Sequence, residues 1–480
     1  MLLSRVLKNL NYELYGEDKE ITSVEYDSRK VKEGSLFVAV KGFGSDGHTF
    51  IDDARERGAA AVLCEYAAEF SPAFSVAVTQ NTRKALAQVS HNFYKNSAKN
   101  LKIIGITGTN GKTTTTYLIK QILELRGYKV GLIGTNQNMV GSRIIKTERT
   151  TPESLEICKL LDEMAGEGVE YVVMEVSSHS LELYRTYGLE FEVGVFTNLT
   201  QDHLDFHENM ENYLKAKAKL FSSCKTGVIN ADDNYAERLI KKCNCTVKTF
   251  GLSRGCDYRA DNIKLRDKSV MFTLFHGKSE DNIRLMIPGM FSVYNALAAA
   301  STCFALGLDS EDIIKGLVIV QGVRGRAEVV PITAPYTVLI DYAHTPDGLE
   351  NILKTVKNFA AGKVITVFGC GGDRDRSKRP KMGKIAEELS DFCIVTSDNP
   401  RSENPEDIIL DITAGMCDKG KYTVICDRYK AIEYAMKMAS AGDVVLLAGK
   451  GHETYQVLSD KSIEFDERAI VKEIFSKIKG

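Results

Sequence analysis

The stretch "GITGTNGKTTTTYLI", residues 105–119, decides the fold. The apolar run "LKIIGIT" (101–107) reads as a buried strand, and it leads into "TTTTYLIKQILELRG" (113–127). That second segment has a helical period, with Leu118, Ile122 and Leu125 on one face and Gly127 after its end. A further apolar run, "KVGLIG" (129–134), completes a strand–helix–strand unit of a parallel sheet. The turn between strand and helix is rich in glycine. Gly105, Gly108 and Gly111 let backbone N–H groups approach an anion closely, Lys112 adds a point charge, and Thr113 offers a hydroxyl to a divalent cation. The common phosphate-binding loop, G-x-x-x-x-G-K-[ST], requires a glycine at 106, where this chain has isoleucine. An idle turn is the bland alternative, and the correct strand and helix flanks weigh against it.

Outward from this unit the alternation continues through "YVVMEV", "VGVFTN" and "TGVIN", loses regularity between about 250 and 290, and resumes with "YTVLIDYAH", "KVITVFGCGG", "FCIVTSDNP" and "DVVLLAGKGHE". This predicts two α/β sheets with a break near "RGRAEVVPITAPYT" (324–337), preceded by a small N-terminal α/β unit that includes "SLFVAV" and ends near "NSAKN" (96–100). Three α/β domains are expected, at 1–99, 100–328 and 329–480. Polar clusters follow the apolar strands: Lys112, Glu175 to His179, Asp202 and His203, Asp341 to His344, Asp373 and Arg374, Asp398 to Arg401, and Lys450 to Glu453. Open parallel sheets bind ligands beyond the carboxyl ends of their strands, where loops diverge and helix N-termini point inward.

Composition narrows the function. At 480 residues the chain exceeds one ordinary core, and 44% hydrophobic with 26% charged residues is ordinary for globular proteins. A net charge of -2, from 62 basic and 64 acidic residues, gives no electrostatic case for nucleic acid or an anionic membrane. The start, "MLLSRVLKNLNYELYG", is broken by Arg5 and Lys8 before a signal-length apolar core builds up, and no later run reaches membrane-spanning length. A cytoplasmic monomer is expected, without membrane insertion. The 11 cysteines are scattered, and the close pair Cys243 and Cys245 lacks a second pair for zinc, so they read as reduced structural thiols.

The shortened loop "TGTNGKTT" (107–114) resembles that of the Mur ligase superfamily, which includes the folylpolyglutamate synthases. The resemblance implies ATP held by Gly108, Thr109, Asn110, Gly111, Lys112, Thr113 and Thr114. "MEVSSHSLELYR" (174–185) and "FTNLTQDHLDFH" (196–207) are similar to segments in which a glutamate and a histidine hold magnesium ions, here Glu175 and His203, with Thr113 beside them. "YLKAKAKLF" (213–221) resembles the segment whose lysine reacts with CO2 to form a carbamate, which places that modification and a further metal ligand on Lys217; without the resemblance Lys215, Lys217 and Lys219 read as an exposed helix face. "PGMFSVYNALAA" (288–299) implies Asn295 near the adenine, although Ser292 stands where the pattern usually has asparagine. "RGRAEVV" (324–330) and "DYAHTPDGLE" (341–350) imply Arg326 at the terminal phosphate and Asp341 and His344 along the nucleotide.

The remaining motifs resemble the branch of the family that adds the third residue of the peptidoglycan stem. "YDSRKVKEGSLFVAVKGFGSDGHTFI" (26–51) implies a uridine diphosphate site at Ser28, Phe43, Gly44 and Ser45. "TTPESLE" (150–156), Ser177 and Arg185 imply contacts with UDP-N-acetylmuramoyl-L-alanyl-D-glutamate through Thr150, Thr151, Ser177 and Arg185; Arg149 stands where many relatives carry asparagine. "SDNPRSENP" (397–405) is similar to the D-N-P-R motif of enzymes that accept meso-diaminopimelate, implying Asp398, Asn399, Pro400 and Arg401 at the amino acid, joined by Arg374 of "GCGGDRDRSKRP" (369–380) and by Gly449 and Glu453 of "AGKGHETYQ" (448–456). A guanidinium grips a carboxylate at two points, and lysine would leave that partner missing. Salt bridges from Arg374 to Asp373 or Asp375, and a plain turn at "GKGHE", are the bland alternatives. The implied catalytic set is Lys112, Glu175, His203 and Lys217, acting through an acyl phosphate, with His203 and His207 as candidate bases and a C-terminal domain that swings in. A lysine-adding or folate-type ligase, and a nucleotide-binding regulator without turnover, are the competing readings.

Overall fold

The strand, turn and helix around residue 108 form where the apolar period places them, at Lys102–Thr107 and Lys112–Leu125. Apart from Phe43, residues 67–73, Glu148, Gln321 and Gly480, the computed structural model describes the whole chain. Gly111 opens the helix with φ 86°, a left-handed conformation that glycine adopts without steric cost. At the other end Gly127, at φ 96°, turns the chain so that the N–H of Tyr128 reaches the carbonyl of Leu123 at 3.1 Å. Leu118 and Ile122 are buried as expected, together with Ile119 and Leu123, whereas Leu125 is 40% exposed. It returns to the expected face but lies in the last turn, where the helix gives way to its glycine cap.

Contacts divide the chain into two compact units, residues 1–249 with 301–308, and 250–300 with 309–480. In the first, five parallel strands lie side by side in the order Cys224–Asn230, Phe191–Phe196, Lys102–Thr107, Tyr171–Glu175 and Val130–Ile133. Consecutive strands of a parallel pair cannot be joined by a tight turn, so each carboxyl end opens into a crossover. Register sets Glu175 opposite Ile106 and Phe196 opposite Thr107, which brings three strand ends to one edge of the sheet. The same unit holds a second sheet, ordered Glu13–Tyr15, Ser75–Val78, Ala61–Cys64, Ser35–Val38 and Ser23–Glu25, parallel except for its first strand. Its two middle strands are buried along their whole length, as expected of a parallel sheet covered on both faces.

The second unit contains the stretch whose period was irregular. Tyr258–Leu265, Val270–His276 and Ser279–Leu285 are antiparallel: the apolar central strand is flanked by two largely polar ones, so the stretch lacks the strand–helix alternation of a parallel sheet. Its main sheet runs Glu328–Val329, Thr337–Asp341, Val444–Ala448, Val364–Phe368, Phe392–Val395 and Tyr422–Val424, parallel except for the first strand. The stretch read as a break thus supplies an edge strand. Val444–Ala448 is buried at every residue and lies between two apolar clusters, one on each face of the sheet. The polar loops after its strands are therefore mounted on a rigid base. None of the described helices is long and apolar enough to cross a membrane.

Candidate active site

Lys112 curls over its own loop, donating from Nζ to the carbonyls of Gly108 and Thr109, both at 2.9 Å. The loop is strapped to residues 197–200, a connection the sequence reading did not assign. Thr109 N–H donates to Asn198 O at 2.9 Å, Asn110 N–H to Asn198 Oδ1 at 2.9 Å, and Thr197 Oγ1 to Asn110 O at 2.6 Å. A Cβ on Gly108, whose φ is 152°, would overlap Thr197 Oγ1. Neutral, short-range hydrogen bonds, two of them from the loop's own N–H groups, thus fix its backbone.

Glu175 ends the neighbouring strand and is buried. Its carboxylate accepts from Thr113 Oγ1 at 2.9 Å, from Thr135 N at 2.8 Å and from Thr135 Oγ1 at 3.0 Å. Thr135 was missed, although it directly follows the strand "KVGLIG". Hydroxyl and carboxylate oxygens suit magnesium, which takes one or two carboxylates and completes its shell with water and phosphate. Thr113 and Glu175 therefore fit the ion implied by the loop.

Lys217 departs most from a surface reading. It is 1% exposed, while Lys215 and Lys219 are exposed as an ordinary helix face. Burial, and then the charge of Lys112, push its proton affinity far below the lysine range, against a weaker pull from Asp202 and Asp233. Its Nζ lies 4.4 Å from the ring centroid of Tyr213. Tyr213, quoted in the motif but given no role, connects several parts: its hydroxyl is 3.2 Å from Thr109 Oγ1 and its ring stacks on His207 at 4.8 Å. His203, at φ 52°, sits 4.7 Å from His179 and 6.4 Å from Tyr213, with Nε2 3.3 Å from Asp202 Oδ2. His207 is buried, its Nε2 2.8 Å from Ser178 Oγ.

The dipeptide candidates meet beside Glu175. Thr151 Oγ1 donates to Glu175 O at 2.8 Å and accepts from Ser177 N at 3.1 Å, and Thr150 Oγ1 is 3.1 Å from Thr135 Oγ1. Arg185 donates to Thr151 O at 3.1 Å and pairs with Glu153 at 2.9 Å; burial lowers its proton affinity and Glu153 opposes that. Arg149 reaches the same carboxylate at 2.8 Å, making Glu153 an organiser that sequence reading overlooked. In the N-terminal sheet Ser28 is buried at the head of the turn Ser28–Lys30, and Gly44 and Ser45 follow Gly42, whose N–H donates to Ser45 O at 2.8 Å. Phe43 lies outside the described residues. Nearby His48 accepts from Glu65 N at Nε2, 2.9 Å, so its proton is on Nδ1, 2.6 Å from Asp46 Oδ1.

In the second unit Arg326 lies 5.2 Å over the Tyr342 ring. Asp341 accepts from Ala327 N at 2.7 Å and Ala343 N at 2.9 Å, while His344 Nδ1 is 2.7 Å from Tyr342 O. Asn295 is buried on the helix Met290–Ala305. The acceptor candidates form one interlocked set. Asn399 Nδ2 donates to Glu453 Oε2 at 2.8 Å, and Lys450, fully buried, donates to Asn399 Oδ1 at 3.0 Å and pairs with Glu453 at 3.3 Å. Burial raises the proton affinity of Glu453, against the pull of Lys450. Asp398 Oδ1 accepts from Asn399 N at 2.7 Å, and a Cβ on Gly449 would come within 2.8 Å of Asp398 Oδ2, a buried oxygen with no hydrogen-bond partner among the described residues. Arg401 donates to Gly372 O at 2.7 Å, and Pro400 O packs so closely on Gly372 that a Cβ there would overlap it. Arg374 donates to the carbonyl of Asp373 at 2.9 Å. Beneath them Arg428 pairs with Glu467 at 2.8 Å, both fully buried, and donates to Ala448 O at 2.9 Å.

Three domain patterns match the chain: the Mur ligase family catalytic domain at residues 20–104, the Mur ligase middle domain at 106–303, and the Mur ligase glutamate ligase domain at 325–451. A Clostridium botulinum protein named UDP-N-acetylmuramoyl-L-alanyl-D-glutamate--2,6-diaminopimelate ligase is 48% identical over 484 residues, covering 100% of both chains. A Caldanaerobacter subterraneus protein of the same name is 49% identical over 480 residues, covering 99% of each. A solved structure with that name superposes with a TM-score of 0.70 at 33% identity over 96% of each chain. The fold extends to a MurF ligase of Thermotoga maritima in complex with ADP, at TM-score 0.61 and 20% identity over 95% of this chain and 97% of that one. Nearly half-identical from end to end to such relatives, and matched pattern by pattern in the same order, the chain belongs to the Mur ligase family.

Proposed function

We propose that this ligase joins an amine of meso-diaminopimelate to the γ-carboxylate of D-glutamate in UDP-N-acetylmuramoyl-L-alanyl-D-glutamate, converting ATP to ADP and phosphate, the reaction of the MurE branch in peptidoglycan precursor synthesis. The observation that carries the reading is the opposed charge of the acceptor loops. Glu453 and Asp398 suit ammonium, Arg401 and Arg374 suit carboxylate, and all four sit on loops locked to one another through Asn399 and Gly372. A diamino diacid answers both signs; lysine answers only part of them. In this reading residues 1–99 serve the uridine nucleotide, 100–328 ATP and 329–480 the amino acid.

A carboxylate is a poor electrophile. An oxygen of the γ-carboxylate attacks the terminal phosphorus of ATP, the bond to the bridging oxygen breaks, and ADP leaves an acyl phosphate. Lys112 leaves its carbonyl partners for the phosphates, and the N–H groups of the strapped loop offset charge as it builds. Thr113 and Glu175 would hold a magnesium ion, which supplies neutralisation of the phosphate oxygens. Lys217, whose proton affinity burial lowers, is suited to react with CO2 as the unprotonated amine: its nitrogen forms the bond to carbon as a C–O π bond opens, a proton leaves the nitrogen, and the amine becomes an oxygen-bearing anion. Thr150, Thr151, Ser177 and Arg185 would orient the dipeptide, Ser28 and the loop at 43–45 the uridine nucleotide, and Asn295, Arg326, Asp341 and His344 the ATP. The unprotonated amine then attacks the acyl carbon, and the tetrahedral intermediate expels phosphate to give the amide.

The test is phosphate release by the purified protein with ATP, magnesium and the UDP-muramoyl dipeptide, comparing meso-diaminopimelate, L-lysine and L-ornithine. Turnover confined to meso-diaminopimelate is expected. Equal turnover with lysine overturns the role of Arg401.

A further inference from the structure

Arg379 is, with Arg428, among the largest fully buried side chains; it lies at the start of the helix Lys378–Leu389, and none of the hydrogen bonds described for it reaches a residue assigned above to ATP or the muramoyl dipeptide. Its guanidinium forks onto Glu403, NH1 to Oε2 at 2.9 Å and NH2 to Oε1 at 2.8 Å, and NH1 also meets Asp411 Oδ2 at 2.9 Å. NH2 reaches Gly371 O at 3.4 Å. Glu403 stands two residues after Arg401 and also accepts from Asp373 N at 2.6 Å, one residue before Arg374. One buried cation therefore ties together the two loops that carry the arginines of the acceptor site.

The backbone at the junction is strained on both sides. Asp373 and Arg401 are non-glycine residues at φ 54° and 53°, a conformation that persists only when its surroundings impose it. Ser402 imposes part of it, donating Oγ to Asp373 Oδ1 at 2.5 Å and N–H to Asp373 Oδ2 at 3.2 Å. Gly372 N–H donates to Asn399 O at 2.9 Å, and Arg401 NH1 returns to Gly372 O at 2.7 Å. Fork geometry explains why the tie is an arginine: the planar group fixes direction as well as distance, which an ammonium cannot do.

We propose that the Arg379–Glu403 pair is a positioning element that sets where Arg374 and Arg401 present their guanidinium groups, and so sets the preference for a second carboxylate on the acceptor amino acid. The inference rests on the acceptor reading above. A misplacement of the reacting partners by an ångström is enough to change rates on the order of a hundredfold, so a shift of either loop is read out directly.

The experiment uses the full-length protein with saturating ATP, magnesium and UDP-muramoyl dipeptide, and measures phosphate release against meso-diaminopimelate and L-lysine for wild type, Glu403→Gln, the milder Ser402→Ala, Arg401→Lys, and Glu403→Gln with Arg401→Lys. Glu403→Gln is expected to raise KM for meso-diaminopimelate by about tenfold, Ser402→Ala by roughly threefold, each leaving KM for ATP and for the dipeptide within about twofold. In the double variant the two losses are expected not to multiply, because both act on the same carboxylate contact. The proposal is overturned if KM for meso-diaminopimelate is unmoved in Ser402→Ala and Glu403→Gln, if all three KM values rise together, or if the double variant shows the product of the single effects. Should Glu403→Gln fail to fold, Ser402→Ala decides. Failure of the underlying reading looks different: wild type would then show no preference for meso-diaminopimelate at all.

Discussion

The phosphate loop and the acceptor loops perform related tasks with different materials. The first is held by amide and hydroxyl partners, Thr197, Asn198 and Thr200, with Lys112 turned onto its own carbonyls. The second is underlain by buried charge: Arg379 on Glu403 and Asp411, Arg428 on Glu467, and Lys450 on Glu453. The chemistry accounts for the difference. A loop that must receive a polyanion is best held by neutral partners, which do not repel it. Loops that must tell one zwitterion from another need guanidinium and carboxylate groups fixed in direction, and buried ion pairs fix direction at the cost of desolvation.

Breaking the charged support should have the largest effect. Arg428→Met leaves Glu467 buried without its partner and is expected to cost about 3–5 kcal/mol in urea unfolding. Lys112→Ala removes its two carbonyl contacts and should cost about 1–2 kcal/mol in unfolding, while lowering kcat for ADP formation by roughly 10²–10³, since one charge is removed where the phosphoryl group moves. A larger loss of stability would show that Lys112, and not the neutral contacts, holds the loop. Asn198→Ala removes the Asn110 contacts and should cost about 1 kcal/mol, with a raised KM for ATP. Acid sharpens the contrast from the other side. The Arg379 fork lowers the Glu403 carboxyl from 4.5 to about 2, so its stabilisation is fully present above pH 4.5 and is lost as the pH falls through about 2. Glu403→Gln should flatten the pH dependence of urea unfolding across that window, and an unchanged slope would show that the pair does not supply it. Leu125→Ser, on the exposed last turn of the loop helix, should shift unfolding by no more than about 0.5 kcal/mol.

What was legible in the sequence follows the same division. The strand ends and the residues just after them could be read because apolar period and chain order are local properties: Lys112, Glu175, Asp341, Asp398 and Glu453 all stand where the strands end. The burial of Lys217 was not legible locally, since its neighbours at 215 and 219 are exposed and the local pattern is that of a surface helix. The supports were not legible. Arg379 sits in a run of cations, "RDRSKRP", that reads as solvated, and its partner Glu403 is distant in the chain. Arg428 and Glu467 meet only because the helices they open pack against the same face of a sheet, and Thr197 meets the phosphate loop only because the sheet sets two strand ends side by side. The one helical face that was misjudged, at Leu125, failed because period tells direction around a helix and says nothing of how far along it the covering structure extends.

Gly108 has a consequence for how the gene can vary. Every alternative amino acid adds at least a Cβ, which would overlap Thr197 Oγ1 on a backbone already in a conformation that side chains disfavour. A substitution at 108 is therefore expected to cost the loop its strap to Thr197, and an inhibitor whose grip depends on that bare stretch of main chain meets a position with little room for change.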